Sequence, residues 1–148
     1  MQLKRYTDYA LRTLTYLGLS PDNMVAITDI AERFSVSRNH LVKVVHRLGT
    51  AGFITTIRGK GGGLKLAHEP EDIGIGNVVR IMEEDFDIVN CEDPICPILP
   101  ACTLKEVLNE ATEGFLEVLD DYTLADLLNN RKKLRRRLKV HIPITSIN

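Results

Sequence analysis

Ile27-Thr-Asp-Ile-Ala-Glu-Arg-Phe-Ser35-Val-Ser37-Arg-Asn-His-Leu-Val-Lys-Val-Val-His-Arg-Leu48 decides the fold of this chain. Ile27, Ile30, Ala31 and Phe34 recur at i, i+3, i+4 and i+7, which predicts a short helix with one apolar face. Ser35-Val36 breaks it. Ser37 then suits the N-cap of a second helix, because a serine hydroxyl can accept from first-turn N–H groups. That second helix buries Leu41, Val44, Val45 and Leu48, again at helical spacing, and carries Asn39, Lys43 and His46 on the opposite face, flanked by His40 and Arg47. Two short helices around a tight turn form a helix-turn-helix whose second member offers donors to base edges and phosphates.

Outward from this pair, Tyr6, Ala10, Leu14 and Leu17 predict an amphipathic helix ending between Gly18 and Pro21. Downstream, the β-branched stretch Phe53–Ile57 and the segment Leu64–Leu66 flank Arg58-Gly-Lys60-Gly-Gly-Gly63, which predicts a hairpin. Arg58 and Lys60 at its tip suit a wing lying on a phosphate backbone or in a minor groove. The glycines do not form a nucleotide-cradling loop: glycine follows Lys60 where Ser or Thr is needed, and no upstream glycine stands at the required spacing. The expected fold is mainly α with a small β-hairpin wing, a winged helix-turn-helix joined to a long dimerisation helix.

Charge is segregated along the 148 residues, so the net charge of −1 conceals three blocks. Residues 1–68 carry ten Lys/Arg against four Asp/Glu, residues 69–126 two against sixteen, and residues 127–148 seven against none. A basic front and an acidic middle suit a polyanion-binding part and a part that stays off the polyanion, although chance segregation of solvated charge gives the same pattern. No apolar run is long enough to span a bilayer and no signal peptide opens the sequence, so a cytoplasmic protein with reduced thiols and no membrane partner is expected.

All three cysteines lie in Cys91-Glu-Asp-Pro-Ile-Cys96-Pro-Ile-Leu-Pro-Ala-Cys102. Pro94, Pro97 and Pro100 rule out a regular helix there and leave a constrained loop. Three thiols suit neither a closed set of disulfides nor an all-cysteine zinc site. The most economical reading is an iron–sulfur cluster, 2Fe–2S or 4Fe–4S, one per subunit, with one exchangeable non-cysteine position. Inert buried thiols, zinc with a fourth ligand and a metal-free thiol sensor are the alternatives.

A short helix over Ile75–Glu84 leads into this loop, and Thr103-Leu-Lys-Glu106 predicts a capping box that starts a helix directly after Cys102. Along that helix Leu104, Ala111 and Val118 repeat every seven residues, as do Leu108, Phe115 and Tyr122, the seam of a helix packed lengthwise on a second copy. A core helix in a monomer could show the same stripe. Thr123-Leu-Ala-Asp126 predicts a second capping box and one more short helix. The basic stretch after Asn130 reads as a solvated, mobile tail or, failing that, an extra DNA-backbone contact. The expected organisation is a winged helix-turn-helix over 1–70, a connecting helix and cysteine loop over 71–102, a dimerisation helix and short capping helix over 103–130, and a basic tail over 131–148.

In this order the chain resembles the NsrR-type nitric-oxide-sensing repressors, within the wider superfamily of winged-helix iron–sulfur regulators. The resemblance covers about residues 1–130. It lies in Tyr6-Thr-Asp-Tyr9 with Leu11-Arg12, Val36-Ser-Arg-Asn-His40, Val42-Lys43, Arg58-Gly-Lys60 with Gly62-Gly63, Asn90-Cys91 with Cys96, Pro100-Ala-Cys102 and Tyr122-Thr-Leu-Ala-Asp126. It implies a homodimeric transcriptional repressor, not an enzyme, that holds a cluster through Cys91, Cys96 and Cys102. Such a protein releases double-stranded operator DNA on cluster nitrosylation and so controls genes of nitric oxide detoxification. The related cluster-biogenesis regulators resemble a trio followed closely by a histidine ligand, and here no histidine lies between His68 and His141. In some NsrR-type proteins an aspartate near the start of the partner's first helix completes the site, which points to Asp8. On its own, Asp8 reads as a first-turn carboxylate set against the helix dipole. The DNA contacts implied are Ser37, Arg38, Asn39, His40, Lys43, Arg47, Arg58 and Lys60. A redox or iron-availability regulator of the same superfamily, an electron-transfer iron–sulfur protein and a purely structural DNA-binding dimer are the competing readings.

Overall fold

The structure, a computed structural model, describes residues 2–140. Helix α1 spans Arg5–Gly18, α2 Ile27–Phe34 and α3 Arg38–Thr50. Ser35 turns the chain between α2 and α3 in the left-handed region (φ 53°), and Val36 N–H donates to Ala31 O at 2.9 Å, closing α2. Ser37 occupies the N-cap position of α3 as expected, but its side chain makes no capping hydrogen bond. Strands β1 (Ile54–Ile57) and β2 (Gly63–Leu66) pair antiparallel, Ile54 opposite Leu66 and Ile57 opposite Gly63. Val25 bridges Leu64 on the far side of β2, and a Cβ on Gly63 would meet the Val25 carbonyl oxygen at 2.8 Å. That close approach fixes glycine there.

Beyond the wing, α4 (Ile75–Glu83) packs between α1 and α5 (Thr103–Asp120), and the short α6 (Leu124–Leu127) returns to the start of α4. Ile75 N–H donates to Tyr122 O at 2.9 Å and Leu124 N–H to Ile73 O at 2.8 Å. One hydrophobic core serves all these elements: Ala10, Leu14 and Leu17 of α1 meet Leu41, Val44 and Leu48 of α3, with Val78, Met82, Leu116, Leu124 and Leu128 closing the other side. The helix-turn-helix is thus packed onto the helices that flank the cysteine loop.

Three local expectations change. The capping box at Thr103 does not form: Cys102 takes the N-cap position in extended geometry, Thr103 becomes the first helical residue, and no side chain caps α5. A 3-10 turn over Leu99–Ala101 sets Cys102 in that conformation, one residue ahead of the predicted start. The two rows of the predicted seam separate. Leu104 and Val118 are more than half exposed and Ala111 is exposed, whereas Leu108 and Phe115 are half-buried, with Phe115 against the chain's own core; Tyr122 lies past the end of the helix. Finally, the basic stretch is not a mobile tail over its described part. Arg131–Leu138 forms helix α7, whose Leu134 and Leu138, with Val140, pack on the core. Residues 141–148 of that predicted tail lie outside the described residues. The capping box at Thr123 forms as expected: Asp126 Oδ2 accepts from Thr123 N–H at 2.8 Å and from its hydroxyl at 2.9 Å. Those bonds, the backbone one foremost, hold the Asp126 carboxyl below the usual carboxylate range.

Candidate DNA interface and cysteine loop

Helical periodicity turns Leu41, Val44, Val45 and Leu48 inward, so Ser37, Arg38, Asn39, His40, Lys43 and His46 stand exposed along the outer face of α3. Arg58 and Lys60 are exposed at the wing tip, with Lys60 between glycines of positive φ, Gly59 and Gly61. Between α3 and β1 runs a cleft lined by Val42, His46, Thr56 and Arg58. Val42 is 40% exposed, so an apolar side chain shares this cleft with Arg58. Such a group can meet a thymine methyl, a contact that a search for donors alone passes over.

Arg47 does not join that face. Its guanidinium pairs with the Glu84 carboxylate and donates to the Ile81 carbonyl, tying α3 to the end of α4. The residue before Glu84 has the complementary role. Glu83 is 6% exposed and its carboxylate accepts from Lys4 N–H at 3.1 and 3.2 Å and from the Thr7 hydroxyl at 2.5 Å. A buried acid therefore caps the start of α1, where orphan N–H groups and the helix dipole both favour negative charge. Tyr6 sits beside this junction: burial raises its phenol above the ordinary value, Arg47 opposes the rise and Glu84 adds to it. None of this was readable locally, because Glu83 and Lys4 lie 79 residues apart and Arg47 and Glu84 lie 37 apart.

Glu84, at a positive φ of 64°, opens the segment that reaches Cys91. There Asn90 Oδ1 accepts from Glu92 and Asp93 N–H at 3.0 and 3.1 Å, and its amide donates to Asp93 O at 2.9 Å. This side-chain-built turn carries the signature of an asparagine two and three residues before its donors. Successive turns then relate the thiols: Cys96 N–H donates to Cys91 O at 3.0 Å, Leu99 N–H to Cys96 O at 3.1 Å and Cys102 N–H to Leu99 O at 3.4 Å. All three cysteines are free and half-buried. Cys102 stands at the uncapped N-terminus of the 18-residue α5, a position that favours an anionic ligand atom. Among the described residues no three His, Cys, Asp or Glu side chains converge on a single-ion site. A multinuclear cluster spreads its ligands over more than one iron rather than gathering them on a single ion, and three thiols in one turn-linked loop fit its donor chemistry.

Asp8 lies in the first turn of α1, half-buried, and is engaged by Arg12: Nε to Oδ1 at 2.9 Å and Nη2 to Oδ2 at 2.7 Å. Arg12 also lies over the Phe34 ring of α2, 5.8 Å from its centroid. Along the outer side of α5, Leu104, Val107, Ala111 and Val118 form one exposed row; Ile95 and Ile98 of the cysteine loop are 76% and 64% exposed. Val107 completes the row at i+3 from Leu104 and was hidden from a strictly seven-residue reading.

A family model described as Rrf2, an iron-dependent transcriptional regulator, matches residues 3–130. The HTH-type transcriptional regulator NsrR of Bacillus subtilis is 51% identical over 144 residues, covering 95% of this chain and 99% of that protein. The regulator of the same name from Bacillus licheniformis is 46% identical over 142 residues, covering 93% and 99%. Among solved structures, T. potens IscR superposes with a TM-score of 0.73 at 26% identity, over 91% of each chain. CymR of B. subtilis, described as its global cysteine regulator, gives 0.71 at 26% identity over 88% of this chain and 98% of that one. No helix among the described residues is long and apolar enough to cross a membrane.

Proposed function

The chain belongs to the Rrf2 family of iron-dependent transcriptional regulators, and on that footing we propose that it is a cytoplasmic, homodimeric repressor that responds to nitric oxide through an iron–sulfur cluster. Cys91, Cys96 and Cys102 would hold the cluster, and Asp8 of the second subunit would complete it. When bound, the cluster would supply iron with one position held by a hard, weakly bound carboxylate, where a small molecule such as nitric oxide could exchange. To serve as a ligand, Asp8 must give up at least part of its bidentate pair with Arg12. Arg38, Asn39 and His40 read bases at the start of α3, while Lys43, Arg58 and Lys60 hold phosphates. Arg47 braces α3 against α4 rather than touching DNA. The outer row of α5 meets its copy across the dimer axis and sets the half-site spacing.

The observation that carries this reading is a three-cysteine loop whose base is bonded to both α1 and α3. A change at the loop would reach the recognition helix through residues 84–90 and the bonds that Glu83, Glu84 and the Ile81 carbonyl make to α1 and α3. The test is an anaerobic preparation followed by iron and sulfide analysis, absorption spectra and operator binding during a nitric oxide titration. Bleaching of the cluster and release of operator should run together, and Cys96→Ala should give little cluster and weak specific binding. Release by oxidant or iron depletion at lower dose than nitric oxide would favour a redox or iron-availability regulator instead. Operator binding that survives complete nitrosylation would overturn the nitric oxide assignment.

A further inference from the structure

We propose that α7 is a second DNA-binding element, a fixed cationic bar that holds duplex phosphates flanking the site read by α3 and the wing. The proposal rests on the reading of this chain as a DNA-binding regulator. Residues 127–148 hold seven Lys/Arg and no Asp/Glu, and all seven fall within 131–139. A run of this kind ordinarily stays in solvent without fixed structure. Here it is folded and anchored. Leu134, Leu138 and Val140 pack on the core shared with the helix-turn-helix, and Arg135 Nε donates to the Leu19 carbonyl at 3.0 Å, at the end of α1.

Anchoring leaves Lys132, Lys133, Arg136, Arg137 and Lys139 exposed, and among the described residues none of the cations of this stretch forms an ion pair. Lys132 with Arg136 and Lys133 with Arg137 are like charges at i, i+4, and Arg131–Lys133 crowd the positive end of the helix dipole. A helix built this way opposes its own formation, and a polyanion laid along it removes the opposition. At one end, Arg131 lines a cleft with Lys65 and His68 at the foot of the wing; at the other, Lys139 lines one with Arg33 of α2. The carboxylates near those ends are Glu69, Glu71 and Asp72 on the wing side, and Asp29 and Glu32 on the α2 side. Glu71 shares a cleft with Arg131, Lys132 and Lys133, whereas Arg136 and Arg137 line none of these clefts. The first helix of a helix-turn-helix crosses the DNA backbone, so a bar running from the wing foot to α2 continues a phosphate-binding surface. A lipid surface is a poorer fit, because the apolar residues of α7 are spent on the core and leave no face to insert.

The contact is sequence-independent, so any duplex reports on it. The test compares the full-length dimer with the variant K132Q/K133Q/R136Q/R137Q, which keeps Leu134, Arg135 and Leu138, after circular dichroism has established equal helicity. Duplex affinity measured against salt concentration should show a slope flatter by about two to three units in the variant, equally for operator and random sequence. Extending a short operator duplex outward should strengthen binding by the wild type and leave the variant indifferent. Unchanged slope and unchanged length dependence would overturn the proposal, as would a variant that keeps both but loses self-association in sedimentation. That last outcome would give the cations to the acidic block of another copy. Should the quadruple change unfold the helix, the pair K132Q/R137Q is read the same way. A wild type that binds no duplex of any length would sink the DNA-binding reading itself, whereas a normal operator footprint with no α7 effect would remove only this inference.

Discussion

Both carboxylate oxygens of Asp8 are engaged by a single side chain, that of Arg12, and both partners are more than two-fifths exposed. An exposed i, i+4 pair of this kind contributes about 0.3–0.5 kcal/mol, so little stability opposes its exchange for a metal bond. Asp8→Ala should therefore leave the fold intact while altering the cluster spectrum and its rate of reaction with nitric oxide. An unchanged spectrum and rate would return Asp8 to its dipole role. Asp126 makes a different prediction. Hydrogen bonds from Thr123 lower its folded pKa below the unfolded value, so its stabilising effect is complete above the ordinary carboxylate range. That effect is lost as pH falls through the lowered value. Unfolding curves of the wild type and Asp126→Asn should differ at neutral pH and converge in acid; a gap that persists to the lowest pH would refute the capping role. Thr123 and Asp126 were legible because donor and acceptor lie three residues apart. Glu83 was not, because nothing near it in the chain announces that it caps a helix 79 residues away.

Helix α5 is the element on which reading and structure diverge in an instructive way. A seven-residue repeat finds two adjacent rows but cannot say which faces the chain's own core, since both are apolar. Packing against α4 draws Phe115 inward and leaves Leu104, Val107, Ala111 and Val118 outside. Phe115→Glu would thus damage the subunit as well as any dimer. Val118→Glu, at a position 59% exposed in the single subunit, isolates the interface. A charge left unpaired in a dry dimer seam costs several kcal/mol, enough to shift a micromolar dimer to monomers with helicity unchanged. Sedimentation decides it, and a wild type that is already monomeric at micromolar concentration would remove the interface. The winged helix-turn-helix, by contrast, was legible almost residue by residue. Its apolar spacing, its glycine-rich turn and its two-residue break are all local signals.

At the scale of the whole molecule, one core joins the DNA-reading helices to those that flank the cysteine loop, and Glu83-Glu84 ties the two sets together. Glu83 holds the start of α1, Glu84 holds Arg47 of α3, and Cys91 follows seven residues on. From sequence Arg47 is expected on the DNA, because polar residues at its helical position ordinarily face outward and its partner Glu84 lies beyond the wing. In the structure Arg47 pairs with Glu84 and donates to the Ile81 carbonyl. Removing it should alter little of the stability, within about 1 kcal/mol, because Glu84 is largely exposed and the pair is screened. Its effect should fall on coupling. In Arg47→Ala the recognition helix loses its bonds to both Glu84 and the Ile81 carbonyl, so the state of the cysteine loop should be transmitted to α3 less faithfully. The ratio of operator affinities before and after nitric oxide should shrink in this variant relative to the wild type, while nonspecific binding and its salt slope stay as they were. A flattened salt slope with the ratio preserved would instead mean that Arg47 touches phosphate, and the brace would have to be given up.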